Sequence, residues 1–211
     1  MATNGIPQVF HSFWVQGPPL PETHQVWLAT WTQHNPEWEH RIWSEDEYRL
    51  FLDEETDPIR EIYETAVNHA QRAEIAQKII LWRFGGFAVD ADSECFKPVD
   101  ELFAGKNHVV TFEETPGQLG NQFIACPPGH RSIREVLDDI PRSIRWQRET
   151  GRSQTYGAGP HLIQRLWYNG EDGDVEILGP EFFHPYRWDQ PKPEQWPDTA
   201  YGAHHWAASW K

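Results

Sequence analysis

The chain has 211 residues and a formal net charge of −14, which is enough length for one α/β domain with its own core. A surface this acidic argues against a nucleic-acid partner, which needs a basic footprint, and against attachment to anionic membranes by charge alone. No apolar run approaches the ~18 residues of a membrane span, the opening MATNGIPQVF lacks the pattern of a signal peptide, and Cys95 and Cys126 belong to no CxxC pair. A cytoplasmic, reducing setting is therefore expected, without a zinc or thiol-redox motif.

In chain order, residues 7–14 (PQVFHSFW) read as a first strand that ends at Gly17. Residues 21–33 read as a helix carrying Val26, Trp27, Leu28 and Trp31, with Asn35-Pro36 as the following turn. Residues 38–43 (WEHRIW) alternate like a half-buried second strand. Ser44, with Glu47 three positions on, forms a capping box for a helix through Tyr48 and Phe51. The longest helical pattern is 68–84, where Ala73, Ala76, Ile79, Ile80 and Phe84 make a wide apolar stripe. Gly85 stands where a left-handed C-cap is expected. Residues 87–90 follow as a central strand, with further strands at 108–112, 122–125 and 175–178. Helices are expected at 132–139 and 160–168, and the tail from Pro185 should wrap over the domain edge. Strands alternating with helices predict an open, mostly parallel, Rossmann-like sheet flanked by helices.

Such a sheet binds ligands at the carboxyl ends of its strands, and Asp90 and Asp92 stand at one of those ends. Two carboxylates one residue apart offer hard oxygen ligands. These suit Mg²⁺ or Mn²⁺, ions that commonly share their remaining positions with substrate phosphates. The segment therefore looks built to hold a metal-diphosphate. Twelve tryptophans add broad faces that can stack on planar or sugar rings.

Four segments carry a resemblance in conserved order across nearly the whole chain. They are IPQVFHSFWVQG, RAEIAQKIILWRFGGFAVDADS, GNQFIACPPGH and AHHWAASW. The chain resembles the glycosyltransferases with a DXD sugar-binding region, a group that includes yeast Golgi mannosyltransferases and, more distantly, the glucosyltransferase domains of large clostridial toxins. The resemblance implies a GT-A fold, a nucleotide-sugar donor, a divalent metal and retention at the anomeric carbon. One domain, 1–211, is expected. About 1–125 would form the nucleotide-sugar and metal half, and about 126–211 the acceptor half, with its tail closing the site.

The resemblance also implies roles. Asp92 would ligate the metal directly, and Asp90 would contact ribose or sugar and reach the metal. His204, ahead of His205, would complete the shell. Ser209 and Trp210 would donate hydrogen bonds to the leaving diphosphate. Trp14 would stack on the base, at roughly 1–3 kcal/mol, and Asn121 would bind a donor hydroxyl. Glu74 and Gln77 occupy positions where relatives carry Asp, holding sugar hydroxyls, and Arg, neutralising the diphosphate. Ala88 stands where many relatives carry Tyr. Arg72 and Lys78 are the candidates to replace the missing charge. Gly159-Pro160 reads as a helix start near the acceptor side.

The expected function is transfer of a hexose from a nucleotide sugar, UDP-sugar ahead of GDP-sugar, to a hydroxyl on a glycan, protein or small molecule. Asp90, Asp92 and Glu74 are the catalytic candidates. The departures at Glu74, Gln77 and Ala88 motivate a second reading, a non-catalytic nucleotide-sugar-binding protein. A third, a metal-dependent nucleotide-diphosphate hydrolase, would need a second metal about 4 Å away, and only one carboxylate pair stands in strong context.

Overall fold

The computed structural model describes residues 5–17, 19–168 and 174–207. Its strands are β1 (Val9–Phe13), β2 (Glu39–Trp43), β3 (Gly86–Val89), β4 (Ser93–Cys95), β5 (Val109–Thr115), β6 (Gln118–Cys126), β7 (Val175–Leu178) and β8 (Gly202–His204). Its helices are α1 (Glu22–His34), α2 (Glu45–Leu52), α3 (Asp57–Glu64), α4 (His69–Phe84), α5 (Asp100–Phe103), α6 (Arg131–Thr150) and α7 (Pro160–Trp167).

Six strands form one sheet in the order β2-β1-β3-β6-β5-β7. The β1–β2, β1–β3 and β5–β7 pairs are parallel, and β6 runs antiparallel to both of its neighbours. Side chains alternate between the two faces with a period of two. Ala88, Ile124 and Cys126 join the core beneath α2, α3, α4, α6 and α7, whereas Phe87, Val89, Phe123 and Ala125 join the aromatic core beneath α1. The result is a sheet covered on both faces, with β3 wholly buried at its centre.

Local chemistry explains the elements that place the site. Glu47 accepts from both the N–H (2.9 Å) and the hydroxyl (2.7 Å) of Ser44, forming the expected cap of α2. Asn68 caps α4 by accepting from the Gln71 N–H at 3.0 Å. At the far end of α4 the Gly85 N–H reaches the Leu81 carbonyl. Gly85 takes φ 63°, ψ −146°, so its φ is positive but it is not the left-handed helical cap expected from sequence. A Cβ on Gly85 would stand 2.6 Å from the Pro128 nitrogen, and one on Gly86 (φ 87°) would stand 2.7 Å from the Val9 carbonyl oxygen. The glycine pair lets the chain turn from α4 into β3 at van der Waals contact with its neighbours.

Two elements differ from expectation. Helix α6 continues through Pro141 to Thr150 instead of ending near Asp139, because Ile133, Val136, Leu137, Ile140 and Ile144 keep burying one face past the proline. Helix α3 lies in a stretch with no expected element. Thr56 precedes it, Pro58 sits in its first turn, and Ile59, Ile62 and Tyr63 bury its inner face. The tail does more than cover an edge. Strand β8 pairs antiparallel with β4 in a separate two-stranded sheet, with Ser93 opposite His204. Among the described residues, no helix is long and apolar enough to cross a membrane.

Candidate functional site

The carboxyl ends of β1, β3 and β5 and the amino end of β6 open on one edge of the sheet, and a cleft of about 1130 Å³ lies there. Its floor is the turn that joins β3 to β4. The Asp90 carbonyl accepts from the Ser93 N–H at 3.1 Å and from the Ser93 hydroxyl at 2.6 Å. From the other core, Trp31 anchors the same turn by donating its Nε1–H to the Ser93 carbonyl at 3.2 Å. The turn presents both aspartates to the cleft.

Strand β8 brings His204 to them. Its Nε2 lies 3.0 Å from Asp92 Oδ1 and 3.6 Å from Asp90 Oδ2, and one ligand atom from each of the three residues falls within 4.8 Å of the others. Asp92 Oδ2 is held by the Ala207 N–H at 2.7 Å. Burial pushes Asp92 up, but the His204 charge, its hydrogen bond and the Ala207 N–H together hold the carboxyl well below its usual range. Burial likewise opposes a charged His204, and Asp92 with Asp90 outweighs it, so the imidazole is raised. Asp90 keeps 40% of its side chain exposed to the cleft. Desolvation by the cleft walls, with Asp92 adding and His204 and Lys78 opposing, pushes it up to about 7.

Two oxygens and one nitrogen of this kind suit Mn²⁺, and the oxygens suit Mg²⁺. With one ligand atom from each residue within 4.8 Å of the others, a single ion would be within reach of all three. The three residues thus fit a divalent ion.

The family described as glycosyltransferase sugar-binding region containing DXD motif matches residues 21–109. Over those residues the chain is similar to this family. Among curated relatives, inositol phosphoceramide mannosyltransferase 3 of Schizosaccharomyces pombe is 22% identical over 217 residues, which cover 96% of this chain but 60% of the yeast protein. Among solved structures, PaToxG glycosyltransferase aligns with a TM-score of 0.64 at 17% identity, covering 81% of this chain and 72% of that one. The UDP-bound glycosyltransferase domain of the YGT toxin aligns with a TM-score of 0.62 at 10% identity, covering 83% and 80%. These likenesses establish the fold as GT-A.

In this GT-A frame the other expected residues divide into three groups. Trp14, Glu74, Gln77 and Asn121 line the cleft with Asp90, Asp92 and His204. Trp14 is fixed by its Nε1–H to the Gly17 carbonyl at 2.8 Å and by an edge contact with His24. Gln77 donates to the Asn121 carbonyl at 3.1 Å. Glu74 has one oxygen, Oε2, sequestered without a hydrogen-bond partner. Its Oε1 lies 2.5 Å from where a Cβ on Gly159 would stand, so the glycine leaves room for this carboxyl. Burial pushes the Glu74 carboxyl up, and Asp90 adds to the effect while Lys78 opposes it.

Lys78 and Arg72 do not reach the cleft wall. Lys78 is fully buried and donates to the side-chain oxygens of Gln77 and Asn121, supporting both from beneath. Its burial drives the ammonium down. The 100° step between neighbouring helix positions is bridged by its long flexible stem. Arg72 pairs with Glu45 at 3.4 Å and lies over the Tyr63 ring. Ala88 is buried in the core and leaves the cleft lining unaffected. His205 faces away from the aspartates: its Nε2 meets Glu94 at 2.9 Å, Tyr186 meets its Nδ1 at 3.2 Å, and Trp27 stacks on it at 4.3 Å. Ser209 and Trp210 lie outside the described residues.

Sequence reasoning missed Glu114, Gln118, Gln122, Gln154, His161 and Trp188, all on the cleft wall. Only Glu114 carried a local signal, since it follows HVVTF at the carboxyl end of a strand.

Proposed function

We propose that the chain is a metal-dependent retaining glycosyltransferase domain that moves a hexose from a nucleotide sugar, UDP-sugar ahead of GDP-sugar, to an acceptor hydroxyl. The observation that carries this reading is the convergence of Asp90, Asp92 and His204 within 4.8 Å at the strand-end cleft, with both aspartates inside the matched DXD region. The UDP bound by the YGT domain supports a nucleotide donor and favours uridine.

Asp92 and His204 hold a divalent ion directly, with Asp90 reaching it and the donor. When bound, that ion supplies positive charge against the leaving diphosphate. Trp14 offers its face to the base. Asn121 and Glu74 hold donor hydroxyls, and Gln77, braced by Lys78, replaces the arginine of relatives with a neutral donor. Ser209 and Trp210 complete the diphosphate contacts. About 1–125 supplies most of the donor site and about 126–211 most of the acceptor side, with the tail returning to close the site. In the reaction the acceptor oxygen bonds to the anomeric carbon, the bond from that carbon to the diphosphate oxygen breaks, and the diphosphate takes the acceptor's proton. No side chain acts as nucleophile. The two buried, unlinked cysteines support a cytoplasmic site of action.

The test is nucleotide release from a panel of UDP- and GDP-sugars with and without Mn²⁺. Mn²⁺-dependent release from one donor, lost in Asp92→Asn with the fold retained, is the expected result. Normal turnover of Asp92→Asn would sink the assignment. An inverted anomeric centre in the product, read by NMR, would refute retention. Mn²⁺-dependent donor binding without transfer to any acceptor would favour the binding-protein reading, and cleavage between the phosphates the hydrolase.

A further inference from the structure

The charge of the cleft narrows the acceptor. Among the described residues that line it there is no lysine or arginine. Four carboxylates, Glu74, Asp90, Asp92 and Glu114, face into it. Four cations lie near its walls without lining it. Lys78 lies buried beneath the floor, Arg72 pairs with Glu45, and Arg187 pairs with Asp189 at 3.0 Å. Arg152 lies over Trp146 and Tyr156. A bound divalent ion is matched by the aspartates and the donor diphosphate, so it leaves no charge for a second anion.

Other described residues of the lining are uncharged donors and acceptors. Gln118 and Gln154 line it, and among the described residues their Nε2 groups have no acceptor within the protein: Gln118 uses only its oxygen, towards Thr115, and Gln154 only its oxygen, towards Asn68. Thr155 and Ser153 add hydroxyls. Two flat faces line the same cleft. Trp188 is 69% exposed at the rim, and His161 stacks on Tyr156 at 3.8 Å. Burial, with the Arg152 charge, lowers the His161 pKa, which keeps that ring neutral. Amide and hydroxyl groups in one cleft with aromatic faces match a ring that is apolar on its faces and ringed by hydroxyls.

We propose that the acceptor is an uncharged, hydroxyl-rich carbohydrate, held by Gln118 and Gln154 with Trp188 as a stacking face, and that phosphorylated or carboxylated acceptors are disfavoured because no described residue of the wall is a lysine or arginine. This inference rests on the glycosyltransferase reading. It deepens that reading by naming the acceptor class. A phosphate brought into this cleft would lose hydration with no lysine or arginine among the described lining residues to pair with it.

The test uses the full chain with Mn²⁺ and the donor that supports turnover. Donor binding is first measured by calorimetry with no acceptor present. Nucleotide release is then followed with matched pairs: methyl α-mannoside against mannose 6-phosphate, myo-inositol against inositol 1-phosphate, and an array of neutral oligosaccharides against their phosphorylated forms and against serine- and threonine-bearing peptides. The same neutral sugars are presented in solution and as glycolipid headgroups on vesicles, which separates a free glycan from a neutral lipid headgroup. The expected result is stimulation by neutral sugars, with the phosphorylated partner at least tenfold weaker and the gap narrowing as salt rises. Trp188→Ala should raise the acceptor KM about tenfold with donor KM within twofold, and Gln118→Lys should recover phosphorylated acceptors at least fivefold. Equal or better use of phosphorylated sugars, or stimulation by peptides alone, would overturn the inference. So would intact donor binding with no stimulation by any neutral sugar. Absence of Mn²⁺-dependent donor binding would instead remove the glycosyltransferase reading, and this inference with it.

Discussion

His11 offers a sharp measurement of how the site is held. It lies on β1 beneath the glycine pair, 1% exposed, and both ring nitrogens are used. Nε2–H donates to the Gly85 carbonyl at 3.0 Å, and Nδ1 accepts the Trp43 indole N–H at 3.0 Å. Only the neutral ring satisfies both, because an imidazolium would point a second proton at the Trp43 donor. Burial first, then the charges of Arg41 and His40, lowers its pKa from 6.5 to about 3 against the opposing hydrogen bond to Gly85. A histidine depressed in the folded state leaves the unfolded chain binding the extra proton. Stability is therefore lost as pH falls below the unfolded value, at about 1.4 kcal/mol per pH unit. Between about pH 7.5 and 5.0 this residue alone accounts for about 2 kcal/mol. In His11→Gln the amide keeps one donor and one acceptor but does not titrate. Urea unfolding at several pH values should show the parent losing about 2 kcal/mol more than the variant across that range. The raised carboxylates Asp90 and Glu114 push the other way, but they are common to both proteins and cancel in the difference. Parallel pH profiles would refute the reasoning.

Three further outcomes are expected. His204→Ala should weaken Mn²⁺ binding by tenfold or more in a calorimetric titration with little change in melting temperature. His205→Ala, which removes the contacts to Glu94, Tyr186 and Trp27, should lower the melting temperature while retaining most of the metal affinity in the surviving fold. Because Asp90 is pushed up to about 7, a proton competes with the ion at that carboxylate. Mn²⁺ affinity should therefore fall as pH drops below about 7, and a flat profile from pH 8 to 6 would contradict this. Gly85→Ala should cost more than about 2 kcal/mol in a denaturant titration, since positive φ and backbone contact at 2.6 Å act together.

Much of this was legible along the chain because its cause is local. The Ser44–Glu47 cap, the stripe of α4, the glycine pair and the Asp-x-Asp turn each lie within a few residues of the atoms that enforce them. Helix α3 was also written locally, in Thr56, Pro58 and the spacing of Ile59, Ile62 and Tyr63, and was overlooked beside the longer pattern that follows. Pro141 misled for a physical reason. A proline removes one hydrogen bond, and the continuing apolar face on both sides of it outweighs that loss in α6. The mixed direction of the sheet and the cleft wall were not legible. Nothing in QLGNQFIAC states that β6 runs against β3, and the meeting of Gln118, Gln154 and Trp188 is a product of tertiary packing.

The pairing of β4 with β8 has a temporal consequence. Ser93 and His204 are neighbours in space but are separated by more than half of the polypeptide. A nascent chain that has emerged through β6 already displays both aspartates, yet it lacks the imidazole until β8 has been synthesised and docked. Under the proposed ligand set, order of synthesis becomes order of activation: a chain that lacks β8 carries both aspartates without the imidazole that completes the metal site.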